Sequence, residues 1–421
     1  MYLHDINYLI NLQDITITNF SISENQSLFL TATPLDIHQA CPCCQTNRHV
    51  ISIGTRQNYR TVRHLDCFQY ETYLMLPMQR LWCKACDFYF TYQYAFIDQR
   101  SRYTIAFQQK VAHSLSGSTV QQVAKLFNLP YSTCERIVKK HLNEQVPKLQ
   151  ETVIQTAEEC NHLVLGMDDF AIRKGHSYNT GIHDLKHENL LMIIKGRTYT
   201  DLIENKDLMI YLTRLNPKAV VMDLSRSYHK FCAKVFPNAL RIADRFHVNR
   251  YITEALQAVR RRISQTLAPD SVKYLKRHKN LLNQRWDELK EKDQTKLRKL
   301  LSFSNELADV YQIKEQLIDW YELSDSSNSY RRLNKWIEKG ESLNIPELNE
   351  GLKPFKNWTQ EISNYHHCRY TNAAVEGRNN KIKTLQRRCY FLRNRTIYEN
   401  RIYQECNYKN CKSGFVTYHC W

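Results

Sequence analysis

Three acids far apart in the chain carry the first chemical suggestion. In "LGMDDF", Asp168 and Asp169 stand where an apolar run stops, and in "VVMDLSRSY" Asp223 follows Val-Val-Met. In "TNAAVEGRNNKIKTLQR", Glu376 lies near the start of a helical pattern. A surface glutamate usually meets a cation three or four residues on, but here those places hold Asn379 and Asn380. A helix beginning at Asn372 puts this carboxylate in the first turns, where the macrodipole favours its charged form. In α/β sheets, ligands gather beyond the carboxyl ends of strands. Two acids on neighbouring strand ends and a third from elsewhere suit a pair of Mg²⁺ ions about 3.5–4 Å apart, as in phosphoryl transfer. Mg²⁺ takes one or two carboxylates and keeps positions for substrate oxygens. A lone strand-end aspartate is more often a turn former; the unpaired glutamate turns the set towards metal. "ADRFH" adds Asp244 at another strand end and His247 three residues on, suited to orienting a neighbouring ligand or the helix that follows.

A second constellation is sulfur. "CPCC" supplies Cys41 and Cys44, and "CKAC" supplies Cys83 and Cys86. Each is a C-x2-C knuckle, and four thiolates satisfy tetrahedral Zn²⁺, provided the intervening strands fold into a small sheet that joins the knuckles. Cys43 competes for a ligand place, and Cys67 reads as a buried or free thiol. Fourteen cysteines in a chain with no export signal suggest metal rather than a disulfide framework.

These groups need elements to hold them. Residues 1–95 carry β-like runs ("SLFLTAT", "YETYLMLP", "FYFTYQYAF") around the cysteines. Within 96–150, "STVQQVAKLFNLPYSTCERIVKKHL" fits a helix-turn-helix. Thr119 or Ser118 caps the first helix, whose inner face is Val120, Val123, Ala124 and Phe127; "NLP" turns the chain, and Ser132 caps the second. Such a second helix enters the major groove, bringing Ser132, Thr133, Arg136, Lys139 and Lys140 to DNA. From about 155 to 250, apolar strands alternate with helices: 162–168, 178–184, 189–195, 218–223 and 239–244. That alternation predicts an α/β core. Residues 251–352 lose the β signal and read as a charged helical insertion, after which 353–421 resumes the α/β pattern with the helix of Glu376.

Composition narrows the partner. Fifty-nine Lys+Arg against 42 Asp+Glu give +17, a balance that favours a polyanion, because neutralising phosphates releases counterions. Residues 250–299 hold 14 basic and 6 acidic residues, and residues 376–412 hold 10 and 3, so these stretches contribute +8 and +7 of the total. Among the cations Arg378, Lys381, Lys383, Arg387 and Arg388 suit DNA phosphates, and Gly377 with the asparagines leaves room for DNA. The start has neither a basic n-region nor a clean apolar stretch, which predicts no signal peptide, and no run approaches the roughly 20 apolar residues of a membrane span.

Together these motifs resemble DDE transposases of bacterial insertion sequences, and most of all the ISL-three family, across nearly the whole chain. The resemblance rests on "CPCC…CKAC", "STVQQVAKLFNLPYSTCERIVKK", "GMDDFAIRKGHSYNT", "VVMDLSRSY", "FPNALRIADRFHV" and "NAAVEGRNNKIKTLQRRCY", in that order. It implies a multidomain chain: a zinc-binding module, a helix-turn-helix, then an α/β ribonuclease-H-like catalytic domain interrupted by an all-helical insertion. The catalytic triad then falls on Asp168, Asp223 and Glu376, holding two Mg²⁺ or Mn²⁺ ions, with Asp169, Asp244 and His247 behind them and one structural Zn²⁺ on the four cysteines. The implied partners are double-stranded DNA, as element ends and as target, and a second copy of the chain in a synaptic dimer. The expected setting is the bacterial cytoplasm, on the nucleoid when DNA is bound. The family's aromatic-Gly-Phe appears here as "CYFLRN" (389–394), without the glycine. The alternative is a derivative without catalysis that serves as a zinc-finger and helix-turn-helix regulator. A tyrosine recombinase, suggested only by 26 tyrosines, lacks the arginine and histidine cluster it would need.

Overall fold

β-branched and aromatic residues at alternate positions build the amino-terminal strands. The computed structural model describes residues 3–10, 12, 14–173, 177–389 and 394–407, which fall in two units, Met1–Glu144 and Gln145–Trp421. The first opens with helix α1 (Leu3–Ile10) and a sheet of β1 (Ile15–Ile22), β2 (Ser27–Pro34), β3 (Val50–Arg63), β4 (Glu71–Cys83) and β5 (Phe88–Thr91). The order is β1-β2-β4-β3, with β5 on β4. Leu28, Leu30 and Ala32 on β2 and Leu74 and Leu76 on β4 turn every second side chain into one core.

Helices α2 (Ile105–His113), α3 (Val120–Leu126) and α4 (Tyr131–Glu158) follow. Thr119 caps α3 in a capping box with Gln122. α4 begins at Tyr131, so Ser132 lies inside its first turn rather than at the cap. The sequence suggests short helices here, but α4 runs for 28 residues. Its buried Val138, Leu142, Val146, Val153 and Ala157 keep a helical period through Pro147. Arg63 ties the helices to the sheet: it pairs with Asp66 and Glu71, and its guanidinium lies 5.2 Å from the Phe107 ring.

The second unit is built on β6 (Val164–Arg173), β7 (Ser177–Asp184), β8 (Asn189–Lys195), β9 (Ala219–Met222) and β10 (Leu240–Ala243), with α5 (Tyr199–Glu204), α6 (Lys206–Leu212) and α7 (Arg226–Val235) between them. The order is β10-β9-β6-β7-β8. β6, β7 and β8 are antiparallel, whereas β9 and β10 lie parallel to β6. All five strands read from the sequence are present, but β6 continues five residues past Asp168, which is therefore inside a strand and not at its end.

Beyond β10 the described residues are helical: α8 (Arg245–Ile263), α9 (Pro269–His278), α10 (Glu291–Leu301), α11 (Asn305–Leu323), α12 (Ser329–Ser342), α13 (Pro346–Asn357), α14 (Thr359–Ser363), α15 (Tyr365–Cys368), α16 (Ala373–Arg388) and α17 (Arg395–Cys406). No strand returns after residue 353 among the described residues; the α/β pattern expected there consists of α16 and α17 laid on the sheet. One core runs without a break from Val164, Val221 and Ile242 on the strands through Leu256, Leu317 and Leu352 to Val375. Leu165, Met167, Val220 and Met222 face the other way, into a core closed by Phe231 and Phe236. Helices thus cover both faces. No helix among the described residues is long and apolar enough to cross a membrane.

Candidate active site and cysteine cluster

Strand register brings the two aspartates together. Met167 pairs with Met222 between parallel strands, so the next residues, Asp168 and Asp223, are neighbours. Met167 and Met222 share one core; because side chains alternate across a strand, Asp168 faces the opposite side, where α16 lies. Asn372 caps α16, and Glu376 falls in its first turn. The acids line one cleft of about 480 Å³ with Asp169, Asp244, Arg245, Phe246, His247, Asn249, Thr371, Asn372, Ala373, Asn379 and Lys383. Glu376 is exposed and forms no ion pair among the described residues.

The helix is keyed to the strand by three amides seven residues apart. Asn372 Nδ2 donates to the Met167 carbonyl (3.1 Å), Asn379 Nδ2 to Asp168 Oδ2 (2.6 Å) and Gln386 Nε2 to the Ala171 carbonyl (2.9 Å). Seven residues are nearly two turns, so the amides form one stripe along β6. Asn379 is 3% exposed and orients the Asp168 carboxylate, a correction to its reading as space for DNA.

The electrostatics favour a cation. Burial, then the Asp223 carboxylate, push Asp168 up to about 7. His247 Nδ1 lies 2.8 Å from Asp223 Oδ1 and 2.9 Å from Asp244 Oδ2, contacts that raise the imidazole to about 10, Asp223 contributing most. A single N–H has one direction, and its hydrogen bond goes to Asp244. Asp223 Oδ1 is left buried without a hydrogen bond. A buried carboxylate oxygen in that state, beside a second carboxylate held partly protonated, suits a metal ion. In this cleft, the ligand atoms drawn within 4.8 Å of one another are those of Asp223, Asp244 and His247. Asp168 and Glu376 line the same cleft outside that tight group. Asp169 points to the sheet's other face and meets Arg197 at 3.3 Å, while its backbone N–H donates to Asp168 Oδ1 at 2.8 Å.

In the first unit, β3 and β4 fold the knuckles together: Val50 pairs with Cys83, and Cys41, Cys44, Cys83 and Cys86 place their sulfurs within 4.8 Å of one another. Cys44 and Cys83 are 3.8 Å apart. Four sulfurs each about 2.3 Å from a central Zn²⁺ define a tetrahedron with edges of about 3.8 Å. Burial opposes ionisation of Cys41, but the backbone N–H groups of Cys44 and Cys43 and the neighbouring thiols bring it down to about 7. Cys43 is exposed and outside the cluster, and Cys67 is half-buried.

The expected DNA contacts divide. Arg136 is exposed with no ion pair among the described residues, and Ser132 is exposed, whereas Lys139 pairs with Glu135 and Lys140 with Asp98. Thr133 is half-buried. Lys381, Lys383 and Arg387 are exposed. Arg378 cannot reach DNA as expected: it is 5% exposed and donates to the Glu188 carbonyl. Arg388 pairs with Glu405. Of "CYFLRN", residues 390–393 lie outside the described residues. Gly166, Asn379 and the second contact of Asp244, to the backbone N–H of Asn372, escape sequence reasoning; the seven-residue spacing of Asn372, Asn379 and Gln386 is a signal for Asn379 alone.

Residues 165–402 match a family described as Transposase, the DDE type of ISL3. Residues 93–142 match the helix-turn-helix domain of transposase family ISL3. The chain is 28% identical over 350 residues to the transposase for insertion sequence element IS1001 of Bordetella parapertussis, covering 80% of this chain and 82% of that one.

Proposed function

Since this chain belongs to transposase family ISL3, we propose that it binds the terminal inverted repeats of an insertion sequence and cuts and joins DNA at the cleft of Asp168, Asp223 and Glu376. The observation that carries the reading is the in-register pair Asp168 and Asp223, faced across one cleft by an unpaired Glu376 on a helix keyed to the same strand. The reaction is hydrolysis of a phosphodiester at the element's end, followed by in-line attack of the freed 3′-OH on target DNA. Two divalent cations, Mg²⁺ or Mn²⁺, held by the three acids would activate the attacking oxygen and stabilise the leaving one. Asn379 and the Asp169 N–H fix the two oxygens of Asp168. His247 and Asp244 steady Asp223, and Lys383 meets the phosphate. The order β10-β9-β6-β7-β8, three antiparallel strands continued by two parallel ones, supports a ribonuclease-H-like core, with the helices after β10 as its insertion. Arg136 and Ser132 on α4 would hold the repeat, and the four cysteines one structural Zn²⁺. A dimer follows from the need to hold two ends.

An inactive regulator is not favoured, because the family match spans the catalytic region with all three acids in place. The test is cleavage of labelled DNA carrying the element's own ends in Mg²⁺ or Mn²⁺. Asp168→Ala, Asp223→Ala and Glu376→Ala should each abolish cutting while leaving binding to the ends intact; cutting that survives all three changes would sink the assignment.

A further inference from the structure

The catalytic cleft is lined by carboxylates, amides and cations, with one hydrocarbon ring among them, Phe246. It is the second residue of α8 and is 58% exposed. The helix face that enters the core is taken by Val248 and Ile252, both fully buried, so the ring stays at the cleft. It stands edge-on to His247, with centroids 5.5 Å apart and planes at 89°. His247 in turn touches Asp223 and Asp244. One side chain therefore separates an exposed aromatic face from the proposed metal ligands. Lys383 on α16 lines the same cleft, exposed and without an ion pair among the described residues.

We propose that Phe246 is a stacking platform for a single unpaired nucleobase beside the scissile phosphate. The proposal rests on the reading of the cleft as the strand-cleavage site. At about 480 Å³, the cleft has the size of a small-molecule pocket. That is room for a phosphate with its adjoining sugar and base. A base inside a duplex has both faces stacked on neighbours; only one taken out of the stack offers a free face. Lys383 then meets the phosphate and Phe246 the base, with the carboxylates between them. Because every base has a π-face, the contact is tolerant of sequence.

The test uses the full chain and a duplex carrying the element's end, with 2-aminopurine at the nucleotide next to the scissile phosphate. Binding is read with Ca²⁺ in place of Mg²⁺, and cleavage with Mg²⁺. Wild type should raise the fluorescence on binding, and Asp168→Asn should keep that rise while losing cleavage in Mg²⁺. Phe246→Ala should lose the rise and increase KM for cleavage roughly 10- to 100-fold with little change in kcat, since stacking is shared by ground and transition states. Phe246→Trp should restore both, whereas Phe246→Leu, apolar without a π-face, should not. Since the ring is more than half exposed, thermal melts of these variants should match wild type. A Phe246→Ala protein with wild-type KM and fluorescence, or a Phe246→Leu protein as good as wild type, overturns the platform. Wild type that binds the end but never cuts refutes the strand-cleavage reading instead, and the fluorescence comparison still decides for or against stacking.

Discussion

Replacing Gly166 with alanine should damage cleavage more than it damages the fold. Gly166 precedes Asp168 by two residues on β6, under the start of α16. A Cβ there would lie 2.8 Å from Asn372 Oδ1, Leu185 Cδ2 and Val375 Cγ2 alike. Two of those groups hold the first turn of α16: Asn372 is its cap and donates to the Met167 carbonyl, and Val375 is fully buried. Relief therefore requires the turn carrying Glu376 to lift from the strand. Overpacking a tight site costs about 1–3 kcal/mol. The stiffer unfolded chain that alanine brings returns about 0.4–1 kcal/mol, leaving a net loss of roughly 1–2 kcal/mol. A catalytic group displaced by about 1 Å can lose on the order of 100-fold in rate. Urea unfolding measures the first effect, and cleavage of labelled end DNA at saturating concentration measures the second. A gel-shift with the same DNA should show wild-type binding, because the helix-turn-helix match lies at residues 93–142, away from β6 in the chain. A Gly166→Ala protein with wild-type midpoint and wild-type cleavage would refute the seating of α16 on this glycine. Parallel losses of binding and cleavage would point to a general folding defect and equally defeat the argument.

Other outcomes follow from named contacts. Metal analysis of the purified chain should give one zinc per chain; Cys41→Ser or Cys83→Ser should remove it and lower the unfolding temperature of the first unit, whereas Cys43→Ser should change neither. Asn379→Ala, which frees Asp168 Oδ2, should lower cleavage roughly 10- to 100-fold, as loss of a partner behind a metal ligand does, with end binding unchanged in gel-shifts. Arg136→Ala should weaken end binding and reduce the slope of log K against log salt by about 1. Arg378→Ala should leave that slope alone and instead destabilise the protein by about 1.5–3 kcal/mol, the usual loss for a buried hydrogen bond to a charged group, read by urea unfolding.

Four of the five strands of this sheet were legible as short apolar runs ending at a polar residue, and β8 falls on residues 189–195 as read; β7 (SYNTGIHD) is mostly polar and buries Asn179, Thr180, His183 and Asp184. The acids proposed as catalytic drew attention in a similar way: Asp223 ends such a run, and Glu376 lacks the helical partner a surface acid would have. The length of β6 was not legible. Its edge towards β7 continues to Arg173 through the polar pair Asp168 and Asp169, because antiparallel pairing with Asn179, Thr180 and Gly181 satisfies the backbone where the parallel neighbour has already stopped. Arg378 was misplaced because pooled charge does not say which side of a helix a cation occupies. It shares a face with Val375, Ile382 and Leu385, the side turned to the protein. Asn379 looked like an absence of charge and is instead a hydrogen-bond donor to Asp168, a role visible only once helix and strand are side by side.

Asp244 explains how a site split by a long helical stretch keeps its shape. Its Oδ2 takes the hydrogen bond of His247 on α8, which fixes the imidazole against Asp223. Its Oδ1 accepts the backbone N–H of Asn372 at 3.2 Å, the residue that caps α16. One buried carboxylate thus joins the helix that leaves the sheet to the helix that returns to it, 128 residues apart. Asn372 closes the circuit by donating from its side chain to β6, next to Asp168. The positions of Asp168, Asp223 and Glu376 are therefore tied together by hydrogen bonds at the two junctions, in addition to the core that runs from the strands through the intervening helices to Val375.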